Sequence, residues 1–365
     1  MKVLHIITRM NTGGPAVFLD HLTSAMNDLD TQSTIAYGYC ESNEADYTDT
    51  HKLNSDLLKI KTLHRSLNPF DDLKTFFALR RIIREVKPDL VNTHTSKAGA
   101  LGRIASKSIN RKIPVVHTYH GHLIYGYFTK HKIFIFTLIE RFLANFTNAA
   151  ACITQETQDS LRHLQIGRKL DWRVIRLGIP VNENLSLPDR KGVKTNLLWV
   201  GRFTDIKDPF YAISVMDYLE KISPGKFNLR MVGGGELLEE SIQQSKALPI
   251  TFSGWMENPF KTSGHFDLLL LTSKNEGMGL VMLEAANFSR ACVARNVGGI
   301  GEFLKDKFNG VMVSGTSKDM AHAISNLSQS DIVKYGLNAR ETLVSDFSSQ
   351  NLAKNYFNLY TDLLV

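Results

Sequence analysis

Short apolar runs alternate along the chain with longer stretches whose apolar residues recur every three or four positions. A run that is apolar throughout and bounded by polar turn residues reads as a strand covered on both faces; the longer spacing marks an amphipathic helix. Runs at 3–8, 34–39, 89–94, 114–118, 149–154 and 172–177 predict strands in the first half. Helices are expected through Phe18, Leu19, Leu22 and Met26, over 71–85, up to 107, over 130–146 and from about 156. The second half repeats the alternation, with strands at 196–200, 227–232, 250–254, 267–272 and 291–294 and helices through 213–219, after 236 and over 280–286. Residues 40–66 are polar and poorly periodic, so loops are expected there; after Glu302 helices are expected to dominate. Such alternation folds as parallel sheets with helices on both faces, an α/β class. Prolines and asparagines over 178–194 (Pro180, Asn182, Asn184, Pro188) read as a linker. The 365 residues then divide into about two doubly wound domains, 1–185 and 186–350, with a last helix over 351–365.

The chemistry concentrates where strands end. The strand at 267–272 runs through Ser273-Lys274-Asn275 into Glu276-Gly277-Met278-Gly279 and a helix opening Leu280-Val281-Met282-Leu283-Glu284. Glycines let a backbone approach a ligand, and the free N–H groups and dipole of a helix start favour an anion. A structural role competes: Glu276 as a helix cap, Glu284 as a solvated helix residue. Gly201-Arg202 closes the strand at 196–200, and Lys207 follows five residues on; two cations here could balance a diphosphate without a metal. Gly233-Gly234-Gly235 follows the next strand but lacks the Gly-Xaa-Gly-Xaa-Xaa-Gly dinucleotide spacing. In the first half, Gly13-Gly14-Pro15 opens the first helix, where proline's missing N–H costs nothing. His120 stands after a strand and before Gly121, a position suited to an open α/β active site. Lys97 is either a phosphate ligand or a surface lysine. Asp28-Leu29-Asp30 closes a helix and reads as a turn.

Together the motif from Glu276 to Ala285, the downstream Gly298-Gly299 and Glu302, Gly201-Arg202 with Lys207, and the His117-Thr118-Tyr119-His120-Gly121-His122 segment resemble the retaining glycosyltransferases of family 4. That resemblance implies the GT-B fold: two Rossmann-like domains facing a cleft, the last helix crossing back to the first. It also implies sugar transfer from a nucleoside diphosphate to an acceptor hydroxyl with retention of configuration. Carried over position by position, it puts Glu276 and His120 on the donor sugar, Arg202 and Lys207 on the diphosphate, and Glu284 on the ribose. Gly13, Gly14, Gly201, Gly233, Gly277, Met278, Gly279 and Leu280 would line the donor, and Trp255 would lie by the base. No metal and no cofactor are expected beyond the nucleotide sugar. The donor is expected to be a UDP-sugar, and the acceptor a glycan or a lipid-pyrophosphate-linked glycan. One departure is the turn Ser289-Arg290-Ala291, where the family carries Gly-Xaa-Pro.

Charge adds one element. The chain carries +7 overall, with +8 in residues 1–180 and −1 in 181–365. A basic first half suits an anionic partner, and no nucleic-acid module accompanies it. The helix at 130–146 has a wide apolar face (Ile135, Phe136, Ile139, Phe142, Leu143, Phe146) flanked by Lys130, Lys132 and Arg141. It reads either as a core helix or as a face resting on an anionic membrane. Cys40, Cys152 and Cys292 have no zinc or redox spacing, and no secretory signal is legible; a cytoplasmic location is expected, either free or peripheral on the inner face of the cytoplasmic membrane. Two other functions fit the same motifs: a sugar-nucleotide-binding protein without transfer, and a sugar-nucleotide epimerase.

Overall fold

The computed structural model describes residues 1–41, 44–121, 130–183, 194–262 and 265–365. His122, Asn184, Pro188, the side chain of Lys130 and most of the expected linker lie outside the described residues. The chain forms two compact units, Met1–Pro180 with Ser348–Val365, and Val181–Phe347.

The first unit runs β1 (Lys2–Arg9), α1 (Gly14–Asn27), β2 (Gln32–Gly38), α2 (Tyr47–Thr50), β3 (Asp56–Lys59), α3 (Pro69–Val86), β4 (Leu90–His94), α4 (Ser96–Ile109), β5 (Val115–Tyr119), α5 (Lys130–Leu143), β6 (Ala149–Cys152), α6 (Gln155–His163) and β7 (Asp171–Val174). Its strands form one parallel sheet ordered β3-β2-β1-β4-β5-β6-β7. The order reverses between β1 and β4, which opens a crevice at their carboxyl ends. One face carries Leu4, Ile6, Val91 and Val115 against Leu79 and Ile83 of α3 and Ala98 and Ala105 of α4. Asn68 caps α3 through its side chain, accepting from the N–H groups of Phe70 and Asp71, and Pro69 occupies the first turn.

The second unit runs β8 (Thr195–Val200), α7 (Pro209–Ile222), β9 (Phe227–Val232), α8 (Leu238–Gln244), β10 (Ile250–Phe252), α9 (Pro259–Thr262), β11 (Leu268–Leu271), α10 (Leu280–Asn287), β12 (Ala291–Arg295), β13 (Gly310–Val313), α11 (Ser317–Ser325) and α12 (Gln329–Asp346). Its parallel sheet is ordered β10-β9-β8-β11-β12-β13, with the reversal between β8 and β11. Trp199, Phe203, Met216, Leu219, Met231 and Val293 form its core. The last helix, α13 (Ser349–Leu364), belongs to the first unit and packs on α1. Its Tyr360 hydroxyl accepts from Asn92 Nδ2 at 2.6 Å, and its Tyr356 hydroxyl meets Thr118 Oγ1 at 3.1 Å. The first bond satisfies the Asn92 amide nitrogen, which the sheet would otherwise bury unpaired.

Four elements correct the sequence-based expectation. The 40–66 stretch holds α2 and β3 rather than loops alone, α9 precedes β11, and β13 breaks the helical run after Glu302. β3 is an edge strand with a largely exposed surface, so it shows neither an apolar run nor alternation. β13 is only four residues long and opens on glycine, which hides it.

Candidate active site

In the second unit the sheet reversal brings the loops after β8 and β11 together. Lys207 Nζ donates to Glu276 Oε1 at 2.5 Å, and the Ser273 hydroxyl donates to the same oxygen at 2.7 Å. Glu276 therefore does not cap α10; Gly279 occupies the cap position at φ 77, with no side-chain cap. The Glu276 loop is held from below: Gly299 N–H donates to the Glu276 carbonyl at 3.1 Å. Gly298 stands beside that carbonyl at φ 55, and a Cβ there would lie 2.0 Å from its oxygen, so only glycine fits.

Thr272 fixes the partner loop. Its hydroxyl accepts from Trp199 Nε1 at 2.9 Å and reaches the carbonyls of Lys207 and Asp208, each at 3.0 Å. Asp208 in turn accepts from Arg295 Nη1 at 2.8 Å. Arg202 is exposed at the end of β8 and makes no ion pair among the described residues. Gly233 and Gly235 are required by the backbone: a Cβ would lie 1.9 Å from the Gly201 carbonyl oxygen and 2.5 Å from that of Phe203. Trp255 is 65% exposed and covers Gly234, where a Cβ would lie 2.5 Å from its Nε1. Gly277 is half-buried and Met278 buried in the loop, and Leu280 opens α10. Glu284 is half-buried on α10, and the burial pushes its carboxyl up to about 7. Ser289 takes φ 55 at the turn where the family carries glycine.

In the first unit, His120 follows β5. Its Nε2 lies 2.9 Å from Nδ1 of His94, at the end of β4, and His94 Nε2 lies 3.2 Å from Nδ1 of His5 in β1. Burial lowers all three imidazoles, His5 and His120 to about 3. Phe18 of α1 packs edge-on against His120, with centroids 4.8 Å apart. Gly13 precedes α1 at φ 171, and neither Gly13 nor Gly14 would place a Cβ in a clash. The fold thus does not demand glycine at either position. Lys97 is neither a free phosphate ligand nor a loose surface lysine; it pairs with Asp72 and donates to the Ser66 carbonyl.

The polar side of α5 is tied to its own domain. Arg103 of α4 and Glu140 of α5 form a buried two-bond pair, and the Tyr119 hydroxyl donates to the same carboxylate at 2.7 Å. The opposite side exposes Phe134, Ile135, Leu138, Ile139 and Phe142. Among the described residues no helix is long and apolar enough to cross a membrane, and no acidic, histidine or cysteine group is arranged to hold a metal ion.

The sequence assigns roles to Glu276, Lys207 and His120 but none to Thr272, Ser273, Asp208, Arg295, His94 or His5. Their contacts join segments distant in sequence. The legible sign is that Thr272 and Ser273 come straight after a strand, and that His94 and Arg295 close one.

Residues 12–183 match the model of Glycosyltransferase Family 4, and residues 194–330 match that of Glycosyl transferases group 1. The UDP-Gal:alpha-D-GlcNAc-diphosphoundecaprenol alpha-1,3-galactosyltransferase of Escherichia coli is 26% identical over 330 residues, 84% of each chain. The GalNAc-alpha-(1->4)-GalNAc-alpha-(1->3)-diNAcBac-PP-undecaprenol alpha-1,4-N-acetyl-D-galactosaminyltransferase of Campylobacter jejuni is 24% identical over 379 residues, covering 100% of this chain and 99% of that one. Among solved structures, Anabaena HepE in complex with UDP and glucose superposes with a TM-score of 0.81 at 18% identity, covering 99% of this chain and 100% of that one. Sucrose-phosphate synthase from Thermosynechococcus elongatus superposes at 0.80, also at 18% identity, covering 100% and 99%. These two structures establish the fold, GT-B.

Proposed function

As the chain belongs to glycosyltransferase family 4, with the GT-B fold, we propose that it moves a hexose or N-acetylhexosamine from its UDP ester to a hydroxyl of a lipid-pyrophosphate-linked glycan. The product would be an intermediate of a cell-surface polysaccharide, and configuration at the anomeric carbon is retained, as the family resemblance implies. Both named relatives act on undecaprenol-linked glycans, and the HepE structure holds UDP.

The observation that carries the reading is the Lys207–Glu276 pair at the sheet reversal, with exposed Arg202 beside it in the strand-end loops. Glu276 holds Lys207. A diphosphate is the better partner for two cations, and its arrival leaves the Glu276 carboxylate able to accept from sugar hydroxyls. Arg202 and Lys207 then stabilise the charge that develops as the diphosphate leaves, so no metal is required. Glu276 and His120 orient the sugar, and Glu284 accepts from the ribose hydroxyls. Gly13 and Gly14, which the fold leaves free to carry a side chain, admit the diphosphate close to the backbone. No side chain is assigned as a nucleophile.

The acceptor's lipid fits the exposed apolar side of α5. Leu67, Phe70, Leu73 and Phe77 are likewise exposed at the start of α3, which packs on α4 in the same layer. Exposed apolar side chains in number, on a domain of charge +8, suit an anionic leaflet on the cytoplasmic side of the membrane.

A panel of UDP-, GDP- and ADP-sugars with lipid-pyrophosphate-linked acceptors, read by mass spectrometry, tests the proposal. The expected result is an acceptor heavier by one sugar, with UDP released. An epimerised donor formed without acceptor would indicate the epimerase. Binding of UDP-sugar with no product from any acceptor would indicate the non-catalytic binding protein.

A further inference from the structure

Three imidazoles run in series from the carboxyl end of the sheet into its interior: His120, His94, His5. His120 and His94 lie under α1, where Phe18 packs on both, and His5 stacks on His94 from the sheet interior. His5 and His94 are fully buried, and His5 Nε2 is buried without a hydrogen-bond partner among the described residues. Each neutral imidazole carries one N–H and one lone pair. Two hydrogen bonds joining three such rings allow only two arrangements. In one, every ring donates inward, and the series ends on an N–H at His5 Nε2 with no acceptor. In the other, every ring donates outward: His5 Nδ1–H to His94 Nε2, then His94 Nδ1–H to His120 Nε2. The outward series ends instead on a lone pair at His5 Nε2. Orphaned buried N–H groups are rarer than under-satisfied acceptors, so the outward arrangement is favoured.

We propose that this series locks His120 in the Nδ1–H tautomer, so that it presents a hydrogen-bond donor, and no positive charge, to a hydroxyl oxygen of the donor sugar. His94 and His5 are then positioning residues for the transfer. The inference rests on the reading that His120 meets the sugar. The absence of charge matters there, because the anomeric carbon gains positive character as the diphosphate departs, and an imidazolium would oppose it. The lock also explains why a sheet interior holds two histidines where apolar residues would pack at no desolvation cost.

The test is a long-range proton–nitrogen correlation spectrum of the full-length protein labelled with nitrogen-15 in histidine. His120 is assigned from the signal lost in His120→Gln. At pH 7 the expected spectrum has His120 neutral and protonated on Nδ1. His120 protonated on Nε2, or on both nitrogens, overturns the proposal. The variants His94→Leu and His94→Asn separate positioning from packing. Leucine breaks the bond to His120, and the expected outcome is loss of the single tautomer with a turnover drop of about tenfold and unchanged UDP affinity. Asparagine places an amide N–H where Nδ1 stood, and should restore both the tautomer and most of the turnover. A His94→Leu protein that melts earlier but keeps the His120 tautomer shows mere packing and overturns the lock. A lost tautomer with full turnover leaves the lock standing and removes His120 from the sugar instead. Should His94→Leu fail to fold, the wild-type spectrum and His94→Asn still decide.

Discussion

Glu284, proposed to hold the ribose, would carry that role at a cost to stability. Its carboxyl is raised from 4.5 to about 7 by burial. Between those values the folded chain binds a proton that the unfolded chain has released, so stability falls as pH rises through the window and levels off above it. The full penalty is up to about 3 kcal/mol. Glu284→Gln removes it. The variant should melt higher than the wild type at pH 8 and alike at pH 4. UDP affinity should move oppositely, because the ionised carboxylate is the better acceptor for ribose hydroxyls. The variant should bind UDP about 10- to 100-fold more weakly at pH 8, with a smaller gap at pH 6. Melting curves and calorimetry at these values check both trends; parallel trends would return Glu284 to a purely structural role. Ser289 offers a second residue-scale prediction. It holds φ 55, and its hydroxyl is buried without a hydrogen-bond partner among the described residues. Ser289→Gly should stabilise the chain by about 1 kcal/mol, the left-handed strain outweighing glycine's greater unfolded-state freedom, as read from urea denaturation. The sequence marked this turn as a departure from the family motif, but only backbone angles say what the departure costs.

At the level of elements, most strands and helices were legible because buried parallel strands are apolar runs and their helices keep helical spacing. Where the physics differs, legibility fails: β3 is an exposed edge, and β13 is four residues opening on glycine. α5 was ambiguous for a related reason. Its sequence carries an apolar face, but which side meets the domain depends on Glu140, whose pairing with Arg103 and Tyr119 turns Phe134, Leu138 and Phe142 outward. Replacing Leu138 and Phe142 by serine should therefore leave the melting temperature nearly unchanged. The same change should sharply reduce flotation with anionic vesicles, and wild-type flotation should weaken as salt rises. Undiminished flotation of the double variant would remove α5 from the membrane reading.

For the molecule as a whole, two doubly wound units each concentrate chemistry at the reversal of strand order. Lys207 and Glu276 share a motif context in sequence, and their contact follows from β8 and β11 being neighbours. The same neighbourhood explains why Thr272 and Arg295 carry no role in the sequence reading, and why Gly298 is legible there only as part of a motif: they support the loops from elements whose proximity only the sheet order reveals. In the proposed function Glu276 acts on the sugar being transferred, while Lys207 and Arg202 bind the nucleotide. Glu276→Gln keeps size, removes charge and releases Lys207 from its carboxylate partner. The decisive measurement pairs the transfer rate of this variant with its UDP affinity by calorimetry. The expected rate is lower by about 100-fold or more, roughly 3 kcal/mol of barrier, with UDP binding unchanged or tighter. Full transfer activity, or a loss of rate matched by an equal loss of UDP affinity, would contradict it.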